Sequence, residues 1–197
     1  MADILISSVR GIQTVPLACE FLKRREVFLN GKIDNETCNE LIEKLLYLDS
    51  EKPGEEITVY INSGGGSVQD GLGLVDTICL LKSPVRAVCT GFCGSMAAVI
   101  YLCAEKREIM KHGKIMIHAP SYGSYEMGGK KPDEIQIELD NLRACNEILA
   151  EIIAEKTGHS IDEIKDVTAK DAYYNAEEAL EYGLVTRIIT EKGGIRG

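Results

Sequence analysis

Ser95 lies in TGFCGSMAAVIYLCAE (90–105), where an apolar, helix-like segment begins directly after two glycines. A serine at that point has two readings. It can cap the helix, its oxygen accepting from an early backbone N–H. Alternatively, its hydroxyl stands among free N–H groups and the positive end of the helix dipole, an environment that stabilises an oxyanion. A cap needs only the hydroxyl and leaves Gly91 and Gly94 unexplained, whereas these glycines let the chain turn sharply and bring small atoms beside residue 95. The stretch is not the G-x-S-x-G elbow, because residue 97 is alanine.

Three histidines are available as a base. His112 (KHGK) and His159 (TGHS) fall in polar turns and read as solvated. His118 ends the apolar run KIMI ahead of Ala119, Pro120 and a glycine-containing loop. That is the carboxyl end of a strand, where parallel α/β sheets build their sites, and imidazole titrates near neutrality. The plain alternative is a hydrogen-bonded imidazole at the core edge. Among thirty-one acidic residues, Asp171 stands out mildly, ahead of AYYNAEEA. It is either a carboxylate partly buried by the aromatics or a surface group at a helix start. The residues alone yield a Ser/His pair without a third member.

The glycine-rich turn NSGGGSV (62–68) has the look of a phosphate cradle but fails the specific tests. No G-x-G-x-x-G follows the strand, and no Lys-Ser/Thr pair follows the glycines. GSYEMGGKK (123–131) has Gly129 where the lysine belongs. What three consecutive glycines provide is room for another backbone to approach and bare N–H groups beside it.

The elements that must hold these groups follow from periodicity. EVFLNG (26–31), EITVYI (56–61), VRAVCT (85–90) and KIMIH (114–118) read as strands, LVTRII (184–189) as the last one, and NSGGGS as a break after the second. Between them run capped helices from DNETC, over 68–82, and in the Ser95 segment; a long helix follows from Pro132 to a stop at Gly158, then two short ones in SIDEIKDVT and NAEEALEYG. Alternating strands and helices give an α/β domain with right-handed crossovers and a largely parallel sheet.

Composition narrows the partners. A chain of 197 residues with 45% hydrophobic content fits one domain. Its net charge of −9 repels phosphate backbones and anionic membranes, so neither nucleic acid nor a membrane is an expected partner. No apolar run reaches the ~18 residues of a membrane span, and MADILISSVRGIQ lacks the layout of a secretory signal. Seven cysteines without a C-x-x-C suit a reducing compartment and no zinc site, so the expected location is the cytoplasm.

Taken together, YINSGGGSV, GFCGSMAA, MIHAP and KDAYYNAEEALEYGLV, in this order and in one register from Val27 to Ile189, resemble the glycine-loop, nucleophile, histidine and aspartate segments of ClpP, the proteolytic subunit of the ATP-dependent Clp protease. The resemblance implies a single ClpP/crotonase-like domain of repeated β-β-α units, with a protruding handle helix at 133–157 and an axial-loop segment at 1–20. It implies a serine endopeptidase with Ser95 as nucleophile, His118 as general base and Asp171 as the group orienting the imidazole. Backbone N–H groups of Gly66 and Met96 would form the oxyanion hole, without metal or cofactor. It also implies two stacked seven-membered rings fed with stretched polypeptide by an AAA+ unfoldase of the ClpX, ClpA or ClpC kind. A crotonase-type acyl-CoA enzyme shares the fold and the oxyanion device but does not use this triad.

The chain departs from the family at several points. Gly64 replaces a usual proline, Ala119 a usual glutamine, and Ala169 with Lys170 a ring-linking acidic–arginine pair. Lysine does not reproduce arginine's planar fork. Thr58, Thr90 and Glu108 stand where the family's unfoldase pocket is aromatic or apolar, while Tyr60 is kept. These changes point to a paralogue with its own partner, or to a weakly active or regulatory subunit working in mixed rings with a second ClpP.

Overall fold

Runs of β-branched residues ending at glycine, alternating with capped amphipathic segments, produce a sheet wrapped by helices. The computed structural model describes residues 2–8, 11–121 and 129–196. In chain order the elements are β1 Asp3–Ser8, β2 Gly11–Pro16, α1 Leu17–Lys23, β3 Glu26–Ile33, α2 Asn35–Glu51, β4 Ile57–Gly66, α3 Val68–Leu80, β5 Val85–Gly94 and α4 Met96–Leu102. They continue with β6 Lys106–Met110, β7 Lys114–Ile117, α5 Pro132–Thr157, α6 Ile161–Thr168, β8 Ala172–Tyr174, α7 Ala176–Glu181, β9 Arg187–Ile189 and a 3-10 turn at Gly194–Arg196. Most of the glycine-spaced stretch 123–131 lies outside the described residues.

β1 and β2 form a separate antiparallel hairpin within the segment 1–20. The remaining strands make a seven-stranded sheet in the order β3-β4-β5-β6-β9, with β7 joined to β5 and β8 to β7. All of these pairs are parallel except β7 with β8. β5 forks: Arg86–Cys89 pairs with Lys106–Ile109 of β6, whereas Phe92–Gly94 pairs with Lys114–Met116 of β7. The end of β5 is thus flanked by β4 on one side and β7 on the other.

Most caps fall where the residue types call for them. Asp34 and Thr37 cap α2 reciprocally, Ser160 and Glu163 cap α6, and Asn175 and Glu178 cap α7. Helix α5 begins at Pro132 and stops at Gly158, whose φ of 81° is left-handed. It buries Leu149, Ala150, Ile153 and Ala154 near its end and nothing in its first half, where Ile137 and Leu139 stay exposed. Helix α4 is the opposite case: all seven residues are buried. A helix apolar on every side belongs inside a core. Among the described residues no helix is long and apolar enough to cross a membrane.

Several expectations need correction. The turn NSGGGS does not break its strand; β4 runs on to Gly66, paired with β3 across a register shift. β5 likewise extends to Gly94, and only Arg187–Ile189 of the last run is strand. His159 is not a solvated turn residue: its ring stacks on Tyr182 at 4.2 Å, and its Nε2 lies 3.2 Å from the Tyr182 carbonyl oxygen. Apart from these corrections, Glu108 turns its carboxylate into the protein. It is buried, accepting from Arg86 Nη2 at 2.5 Å and Nε at 3.0 Å, with Arg187 Nε 3.1 Å from its other oxygen. Arg86 also donates to the carbonyls of Gly194 and Ile195, so the pair anchors the C-terminal turn beside Tyr60, Val88 and Ile189.

Candidate active site

Ser95 joins β5 to α4 with φ 54° and ψ −128°, a region that non-glycine residues rarely occupy. Its side chain makes no cap hydrogen bond, which overturns the capping reading. Instead its backbone is tied down on both sides. The N–H donates to Met116 O at 2.8 Å, and the carbonyl accepts from Ala98 N at 2.9 Å. Such a conformation costs about 1–3 kcal/mol. Met96, Val99, Ile100 and Leu102 of α4 are each at most 3% exposed, and each contributes roughly 1.5–3 kcal/mol on burial. The packed helix therefore outweighs the strain at its start. The local device is a sharp strand-to-helix turn like that of a nucleophile elbow, built with Cys93 and Ala97 in place of that motif's two glycines.

The glycines have specific neighbours. A Cβ on Gly65 would lie 2.7 Å from both Gly94 O and the Ser95 Cβ, and 3.0 Å from Met96 N. A Cβ on Gly66 would run into the Ile33 carbonyl, and one on Gly91 would sit 2.9 Å from the Asn62 Oδ1. The glycine loop thus packs backbone-first on the turn at 95. Two side chains not anticipated from the sequence hold it there. The buried Ser63 hydroxyl accepts from Gly65 N–H at 3.1 Å, and Asn62 Oδ1 accepts from Phe92 N–H at 3.0 Å. Their signal was the NS preceding the glycines, since both types bond nearby backbone readily.

His118 follows the last residue of β7, and its Nε2 is 2.8 Å from Ser95 Oγ. Its Nδ1 is 3.2 Å from Asp171 Oδ1. The reason is register: Ile117 pairs with Ala172 in the antiparallel β7–β8 ladder, so the residues just beyond, 118 and 171, face each other. Ala119 N–H donates to Thr168 O at 2.7 Å and fixes the chain after the histidine. An ionised carboxylate only accepts, so Nδ1 carries the proton and Nε2 is left to accept from the serine hydroxyl. Asp171 is not the buried carboxylate considered above; its side chain is 57% exposed, against 26% for His118.

Met96 is the first residue of α4, so its N–H has no partner within the helix, and it lies next to Gly65. Gly66 closes β4 opposite Ile33. Cys93, two residues ahead of Ser95, is fully buried, and burial followed by the neighbouring Cys89 pushes its thiol well above the usual range. It stays a neutral packing group beside the site. Among the described residues no cluster of three or more His, Cys, Asp or Glu is placed to hold a metal ion. The arrangement is that of a serine whose hydroxyl is hydrogen-bonded to an imidazole and whose imidazole is held by a carboxylate, beside a helix N-terminus.

Comparison with known proteins places the chain among its relatives. The family model described as Clp protease matches residues 10–192. The chain is also 37% identical, over 197 residues covering 98% of each protein, to the ATP-dependent Clp protease proteolytic subunit 1 of Prochlorococcus marinus (strain MIT 9312).

Proposed function

The chain belongs to the Clp protease family, and from that premise we propose that it is a serine endopeptidase subunit of a barrel-shaped, self-compartmentalising particle that cleaves unfolded polypeptides and short peptides. The observation that carries this reading is the unbroken relay from Ser95 Oγ through His118 to Asp171, at 2.8 and 3.2 Å, on a strained turn. Ser95 Oγ attacks a peptide carbonyl while His118 Nε2 takes its proton, and Asp171 holds the imidazolium that forms. The N–H groups of Met96 and Gly66 receive the developing oxyanion, a single such donor being worth about 3 kcal/mol. His118 then protonates the leaving amine, and water, deprotonated by the same ring, releases the acyl group. The glycine loop offers the substrate a bare backbone edge. At Gly64 a side chain would meet nothing within 4 Å, so glycine there leaves that edge freer before binding than proline would.

Assembly into stacked seven-membered rings is supported by α5, whose first half has no fully buried residue and exposes Ile137 and Leu139. An ATP-dependent unfoldase of the Clp type is the partner that such a chamber requires for folded substrates. A weakly active or regulatory subunit in mixed rings is the second reading. What favours it is the exposed pair Ala169 and Lys170, directly ahead of Asp171, in place of the ring-linking pair. Native mass measurement alongside hydrolysis of a short fluorogenic peptide separates the two. The first reading expects the purified protein alone to have the mass of fourteen chains and to turn the peptide over. Assembly without turnover, with activity appearing only after mixing with a second ClpP, would favour the regulatory subunit.

A further inference from the structure

Two cysteines far from Ser95 meet in a cavity of about 440 Å³ between α3, the end of α4 and α5. Cys79, in the last turn of α3, is exposed; Cys103, which follows α4, is half-buried, and its thiol donates to Val99 O at 3.3 Å. Lys156 of α5 lines the same cavity and acts electrostatically on both sulfurs. Cys79 and Cys103 line the same space, with no other cysteine among the lining residues.

We propose that Cys79 and Cys103 are a redox-modification site: a thiol pair that closes to an intramolecular disulfide by exchange with a small disulfide of the glutathione type. The other adjacent thiols, Cys89 and Cys93, are fully buried, so no oxidant reaches them. At the cavity the geometry assigns an order. Cys79 is open to solvent and attacks first, as thiolate, breaking the S–S bond of the oxidant; one glutathione leaves as thiolate and takes up a proton. Burial pushes the Cys103 thiol up to about 12, so it attacks second, once the mixed disulfide stands beside it, its deprotonation favoured by the adjacent Lys156 ammonium. Its sulfur attacks the Cys79 sulfur of the mixed disulfide and expels the second glutathione. One disulfide is consumed and one formed, and the two thiol protons end on the two glutathiones.

The closed loop, residues 79–103, encloses β5, Ser95 and α4. The bridge forms at the far end of α4, about 10 Å of helix from Ser95, so it braces the segment that carries the serine without entering the site. Cross-linking a loop of this length raises the thermal midpoint by about 5–10 °C.

The test is exposure of the assembled, reduced protein to glutathione disulfide, alkylation of the remaining thiols, and peptide mapping without reductant. Cys89, Cys93 and Cys103 lie together between Arg86 and Lys106, so fragmentation must locate the bridge within that tryptic peptide. The expected result is a Cys79–Cys103 linkage, reversed by dithiothreitol. In Cys103→Ser the reaction stops at a glutathionyl group on Cys79, and in Cys79→Ser residue 103 stays reduced. Cys79 ending as a free thiol or a stable glutathionyl adduct in the unmodified sequence would overturn the proposal, as would a bridge to any other cysteine or between two copies. That outcome is independent of whether the protein hydrolyses peptides.

Discussion

Replacing Ser95 with alanine lowers kcat for a short fluorogenic peptide by about a millionfold, measured with the assembled particle at saturating substrate. Alanine has no atom that can attack, and no second nucleophile stands in for it, since the nearby Cys93 thiol is buried and held neutral. What survives is the contribution of the oxyanion donors and of binding, which leaves a residual rate well above that of water. KM changes little, because the hydroxyl is used in the transition state more than in the ground state. The substitution leaves the fold intact. Residue 95 keeps φ near 54° in either case, an alanine there meets the same strain, and buried α4 continues to hold it. Loss of activity with unchanged native mass is therefore the expected pair of results.

The second large effect is at Asp171. Asparagine in its place lowers kcat by about a thousandfold or more, with native mass retained. The cause is the tautomer. The carboxylate accepts from Nδ1–H and so reserves Nε2 for the serine proton. An amide can donate to Nδ1, which moves the ring proton to Nε2 and removes the base. A purely electrostatic role would predict less, because a carboxylate that is 57% exposed is strongly screened by water. The size of the loss thus distinguishes orientation from field. A decrease of only a few-fold, measured as kcat at saturating peptide, would mean that Asp171 does not set the tautomer.

Much of this arrangement was legible in local chemistry. The caps at Asp34, Ser160 and Asn175, the span of α5 and the Ser/His pair all rest on residue types at short range. What was not legible depends on contacts between distant segments. Asp171 meets His118 only because the three-residue strand β8 pairs antiparallel with β7, and a strand so short leaves no readable period. Strand β6, KREIM, is mostly charged in sequence, yet Ile109 fills the core and Glu108 is neutralised internally by Arg86 and Arg187. β4 and β5 outrun their apolar stretches because neighbouring strands supply pairing through the glycines. Ser95 kept a capping reading beside the catalytic one because capping and catalytic serines share a place at helix starts; its backbone angles and the direction of its hydroxyl tell them apart.

The most direct measurement is the site of reaction with a serine-directed acylating probe, applied to the assembled protein and located by peptide mapping. The account predicts one acyl group per chain, on Ser95 Oγ, with labelling lost in His118→Ala although the hydroxyl is still present. An assembled particle that never labels, or that labels at another residue while Ser95 stays free, would contradict it.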